Sequence, residues 1–160
     1  MKNKADKATE LIKYRDLLIA TIDYSLSSEI GRIKTPEFDS NAYFNYLKIA
    51  VEEQFKKGQL SKLKQWFADL TAPYRESIDL NFYTYLKTKT NCDFDTFKSF
   101  FKRIDNTLLK GRITTDIQFR DITFLYDHLR EINSSDHQKI ELLTLLLKDY
   151  EERKTQKTKA

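Results

Sequence analysis

Only five of the chain's 160 residues are glycine or proline, three of the first and two of the second. Average usage of the two together is about 12%, so this chain carries roughly a quarter of the ordinary share. A sheet protein needs turn-forming residues at almost every chain reversal, because glycine, proline, asparagine and aspartate supply the backbone angles of tight turns. A chain this poor in them is confined to long elements with few reversals, which means helices. At 160 residues it is large enough to bury a real core. With 40% apolar and 32% charged residues it is neither membrane-embedded nor compositionally disordered.

Apolar residues recur at helical spacing in every segment between breakers. Leu11, Tyr14, Leu18, Ile22 and Leu26 predict a first helix over about 5–28. After "GRIKTPEFDS", Asp39 or Ser40 can cap a second helix carrying Phe44, Leu47, Val51 and Phe55, stopped by Gly58. Leu60, Leu63, Phe67 and Leu70 mark a short third helix. Pro73 suits a first turn and is expected to start a fourth, with Tyr74, Ile78, Phe82 and Tyr85 on its apolar stripe. Asp93 or Asp95 is expected to cap a fifth, with Phe97, Phe101, Ile104 and Leu108 inside and Gly111 as its stop. A sixth carries Ile113, Ile117, Ile122, Leu125, Leu129 and Ile132. Ser134, Ser135 and Asp136 cap a seventh with Ile140, Leu143, Leu147 and Tyr150. The expected fold is all-α, a compact bundle of about six to seven helices with short connectors. Residues 1–155 are read as one domain, with a subdivision possible near 30–40, and 156–160 as a disordered tail.

Catalytic chemistry finds little to stand on. His128 and His137 have no second nitrogen or sulfur ligand at helical spacing, so a zinc or iron site has too few donors. His128 falls one residue off its stripe and is expected to be partly exposed. Isolated glycines make no phosphate loop, and the carboxylates are interleaved with lysines as on solvated helix faces. Cys92 stands alone, which excludes an internal disulfide and fits a reducing compartment. The charged start "MKNKADKATE" lacks a signal-peptide apolar run, and "LLTLLL" is too short to span a bilayer. The expectation is a non-enzymatic cytoplasmic protein with no metal, no cofactor and no membrane.

Polyanion binding has more support. The net charge is +4 and the pI about 9.0, values that permit a nucleic-acid partner without requiring one. Seven basic residues fall between Lys87 and Arg112, against Asp93, Asp95 and Asp105. Lys98 and Lys102 share a helix face with Arg103 beside them, a spacing able to anchor phosphates together with Lys110. "NTLLKGRITTDIQFRD" sets Gly111 between two helical patterns, as in a helix-turn-helix. Arg112, Thr114, Thr115 and Gln118 would then lie near base edges. Phe82 and Tyr85 fall on the apolar stripe of "DLNFYTYLKTKT", which assigns them to the core, whereas Tyr83 lies off it. The competing class is a helical protein–protein interaction module of immunity or scaffold type. Its docking patch would be Leu142, Leu145 and Leu146.

The stretches "LSKLKQWF", "LNFYTYLKTKTNCDFDTFKSF" and "NSSDHQKIELLTLLLKDYEE" together resemble the RteC family, regulators of tetracycline-inducible excision and mobilisation of conjugative transposons. The resemblance runs through Trp66-Phe67, Phe82-Tyr83, Tyr85, Lys87-Thr88, Asp95, Phe97 and the cap Ser134 to Lys139, covering roughly residues 60–155. It departs at Lys89, where the family turn carries glycine, and in the order of Asp136 and His137. It implies an all-helical transcriptional regulator with a helix-turn-helix, binding an inverted repeat in double-stranded DNA as a homodimer.

Overall fold

The computed structural model describes residues 4–159, and among them are seven α-helices and no β-strand. The chain divides into two compact units, 1–96 and 97–160, so the segment near 30–40 lies inside the first.

In the first unit α1 (Lys4–Ser27) is the central element, packed against α2 (Ser40–Lys56), α3 (Leu60–Glu76) and α4 (Leu80–Thr90). Its Leu17, Leu18 and Ile22 are fully buried, and with Val51, Leu63, Phe67, Phe82 and Leu86 they form the core. Each such side chain withdrawn from water contributes about 1.5–3 kcal/mol. Thr21 and Ser25 are buried on the same helix because each hydroxyl donates to the carbonyl four residues back, Leu17 and Thr21. The Ser25 hydroxyl also lies 2.6 Å from the Tyr74 hydroxyl, and burial raises the Tyr74 pKa.

Asp39 and Asp79 cap α2 and α4 by accepting from the Ala42 and Phe82 amides. Asp79 also accepts from the Tyr24 hydroxyl at 3.1 Å. Above it an aromatic knot forms, with Tyr74 stacked on Phe82 at 4.2 Å and Tyr24 edge-on to both. Phe82 is therefore core, Tyr85 is half-buried against Tyr24, and Tyr83 packs on Phe94.

Pro73 starts no helix. It lies inside α3, whose last turn continues to Glu76 because Thr71 and Tyr74 are buried. Helix α3 then ends in a double hydrogen bond, Asp79 N–H to Tyr74 O and Ile78 N–H to Arg75 O, which puts Ile78 at φ 53°. A β-branched residue there is strained. The same closure recurs at Gly58 and Asn133.

In the second unit α5 (Lys98–Lys110), α6 (Asp116–Glu131) and α7 (His137–Lys159) follow in order, α6 packing on both neighbours. Asp93 and Asp95 do not cap α5. Phe97 occupies that position with no side-chain cap, and Asp93 instead pairs with Lys87 at 2.6 Å. The buried residues of α5 are Phe100, Ile104 and Thr107, one step from the expected Phe101 and Leu108. Ile113 is buried in the connector, whereas Ile117 is exposed. His128 is buried rather than partly exposed, since the inner face of α6 runs Asp121, Ile122, Leu125, His128. On α7 Leu143 and Leu146 are buried while Leu142 and Leu145 are exposed. Helix α7 runs on through 156–159, residue 160 lying outside the described residues. Three of those four residues, Gln156, Lys157 and Lys159, are good helix formers.

Candidate nucleic-acid interface

The turn between α5 and α6 is closed from both sides. Gly111 ends α5 in the left-handed region at φ 62°, with its amide bonded to Leu108 O. Thr115 opens α6, its hydroxyl accepting from the Gln118 amide at 3.2 Å. In return Gln118 Oε1 accepts from Thr115 N–H, from Thr114 N–H at 2.8 Å and from the Thr114 hydroxyl at 2.9 Å. This is a capping box, and it satisfies amide donors that the helix start would leave open.

The capping box changes the chemistry available to Thr114, Thr115 and Gln118. The Thr114 hydroxyl proton and the Gln118 carbonyl oxygen are spent on the turn, while the Thr115 hydroxyl accepts there and keeps its own proton to donate. The Gln118 amide nitrogen is left as a donor, suited to an acceptor on a base edge or a phosphate.

The five basic candidates also sort. Arg103 donates from Nε to Asp121 Oδ2 at 2.6 Å and from Nη2 to Oδ1 at 3.2 Å. Asp121 is 1% exposed against 43% for Arg103, so this forked pair couples α5 to an otherwise uncompensated buried charge. That bond raises the Arg103 pKa. Lys98, Lys102, Lys110 and Arg112 are exposed, and none makes an ion pair among the described residues. Lys98 and Lys102 stand one turn apart on the outer face of α5. Leu109 lies further along that helix, 86% exposed.

Three basic residues in the C-terminal half of α7, only Lys157 of them within the expected tail at 156–160, are missing from the sequence-based candidates. Arg153 Nη2 donates to Ile113 O at 2.8 Å and to Asp149 at 2.7 Å, and Lys154 donates to Asp116 at 2.7 Å. Lys157 stands on the same face. Their spacing of one and four residues was the available signal, masked by the polar composition of the segment. Among the described residues no cluster of three or more His, Cys, Asp or Glu could hold a metal ion. Nor is any described helix long and apolar enough to cross a membrane. Cys92 is half-buried, its thiol against Thr90 O at 3.3 Å.

The class these features define is an all-α protein of two units, the second a three-helix unit with solvent-facing cations about a capped turn. No family model, no curated protein and no solved structure matches the chain.

Proposed function

We propose that the chain is a DNA-binding transcriptional regulator that acts on conjugative-element excision or mobilisation, in the manner of the RteC family it resembles. The observation that carries the reading is the set of exposed cations Lys98, Lys102, Lys110 and Arg112. Lys110 and Arg112 flank the α5–α6 turn, Lys98 and Lys102 line the first half of α5, and none is consumed by an intramolecular ion pair among the described residues. In this mechanism they neutralise backbone phosphates and release counterions, while the start of α6 approaches base edges with the Gln118 amide nitrogen as donor. Arg103 belongs to the scaffold and contributes by holding α6 against α5. Pairing of two copies on an inverted repeat follows from the resemblance alone.

The test is duplex binding by fluorescence anisotropy across a salt series. The Lys98→Glu, Lys102→Glu double variant is expected to lose binding while its circular dichroism stays that of the wild type. Equal affinity for the variant and the wild type removes α5 from the interface. A wild type that binds no duplex at any salt removes the function.

A second reading, an interaction module without nucleic acid, has its own observation. Phe38, Tyr43, Tyr46 and Ile49 leave an apolar row exposed on and beside α2, with Tyr46 66% and Ile49 61% accessible. Recovery of a stoichiometric protein partner, lost on Tyr46→Ser with Ile49→Ser, favours that reading.

A further inference from the structure

The C-terminal half of α7 is sorted by charge. Tyr150, Arg153, Lys154 and Lys157 fall at helical spacing on one face, and Glu151 and Glu152 line a different groove with Lys148. With Thr114 from the α5–α6 connector, the first set lines a cleft of about 230 Å³.

Two of the cleft's cations, Arg153 and Lys154, are held in place. Arg153 is held by Ile113 O and by Asp149, using Nε and Nη2 and leaving Nη1 with two free donors. Lys154 gives one of its three protons to Asp116 Oδ1, the oxygen that also accepts from the Tyr150 hydroxyl at 2.8 Å. Both cations lie over the Tyr150 ring, at 5.6 and 5.8 Å. Lys157 has no partner among the described residues, and the Asp149 carboxyl pKa is lowered chiefly by its hydrogen bond from Arg153, with a small contribution from the charge of Arg112. The cleft's three cations, Arg153, Lys154 and Lys157, thus stand against two carboxylates, Asp149 and Asp116, and each carboxylate anchors one cation without covering it. What remains is a set of unused N–H donors, two of its three cations anchored, with the surplus positive charge of Lys157, which fits the paired non-bridging oxygens of a phosphate.

We propose that this cleft is a phosphate site that grips the nucleic-acid backbone beside the α5–α6 turn, a second anchor in addition to the α5 lysines. The inference rests on the DNA-binding reading and adds a contact that the resemblance does not supply.

The experiment measures anisotropy of a fluorescein-labelled mixed-sequence duplex against salt for the wild type, Lys157→Gln and Lys102→Gln. A parallel ¹⁵N NMR titration with inorganic phosphate reads the amides of Thr114 and Arg153 to Lys157. Both substitutions are at exposed residues without partners, and matching thermal melts check their folding. The expected result is that each variant lowers the slope of log affinity against log salt by about one. If Lys157→Gln keeps the wild-type slope while Lys102→Gln lowers it, the cleft is overturned and the DNA reading stands. If the duplex is not bound but phosphate shifts the cleft amides, the site takes free phosphate. That outcome overturns both the DNA reading and the backbone assignment. If neither binds, both fall.

Discussion

Arg103 shows how one side chain can carry the right charge for one task and perform another. Its guanidinium grips Asp121, a carboxylate with almost no access to water. Losing one partner strands the other, and a stranded buried charge is costly. With Arg103 itself 43% exposed, solvent relieves part of that penalty. Arg103→Gln is expected to lower unfolding free energy by about 1–3 kcal/mol, read as a drop in urea midpoint at constant slope. Arg103→Leu together with Asp121→Leu should recover much of it. Gly31 is constrained by space rather than charge. A Cβ built there would meet the Leu26 backbone at 2.5 Å and Ser25 O at 2.6 Å. Gly31→Ala therefore forces the 3-10 turn Glu29–Arg32 off α1 and should cost about 2–3 kcal/mol by the same unfolding measurement. Neither constraint is legible in the sequence, because both are set by a neighbour that folding supplies.

Some helix ends follow local residue chemistry and others depart from it, and the departures share a cause. Asp39, Gly58, Gly111 and Asp136 are stops or caps of residue types whose chemistry is local, and each stands where its type predicts. Pro73 and Ile78 invert the usual rules: a proline continues a helix and an isoleucine ends one. There, burial of Tyr74 against Phe82 and Ser25 outweighs backbone preference. At α6 the capping box predicts that Thr115→Ala lowers stability by about 1 kcal/mol, with chemical denaturation as the readout and faster amide exchange confined to the first turn. The C-terminal half of α7 is tied down by Asp116, whose pKa is lowered by the Lys154 hydrogen bond first and the Tyr150 hydroxyl second. A lowered carboxyl stabilises the fold above its ordinary value of 3.8, and that contribution is lost as pH falls through the still lower folded value. The Lys154 pKa is raised by the same bond, so its contribution is complete below its ordinary 10.5 and is lost as pH climbs through the folded value. Amide exchange, corrected for its intrinsic pH dependence, should show residues 150–158 protected between those limits and opening below about pH 3.8. Asp116→Asn should reduce the acid dependence, the remainder coming from Asp149, whose carboxyl pKa is lowered by its hydrogen bond from Arg153.

At the scale of the molecule, charge is unevenly divided. Residues 97–160 hold thirteen Lys and Arg against ten Asp and Glu, so most of the net +4 belongs to the second unit. If Lys98, Lys102, Lys110 and Arg112 each neutralise a phosphate, they alone should give a salt slope of about 3.6, before any contact in the α7 cleft. A fourfold rise in salt would then weaken duplex binding roughly a hundredfold. A slope near zero, measured by anisotropy, contradicts a phosphate-anchored complex. Scarcity of glycine and proline with recurring 3.6-residue periodicity was enough to determine an all-α chain of about six to seven helices, seven among the described residues, because both act within a few residues of sequence. The same local logic found the basic run and the turn at Gly111. Which cations remain available was decided by tertiary structure. Arg103 is consumed by Asp121, eighteen residues away, and Arg153 and Lys154 are brought to the turn from about forty residues on. Pairing across such distances depends on which faces the helices bury, and a side chain's availability is a property of the neighbours it meets there.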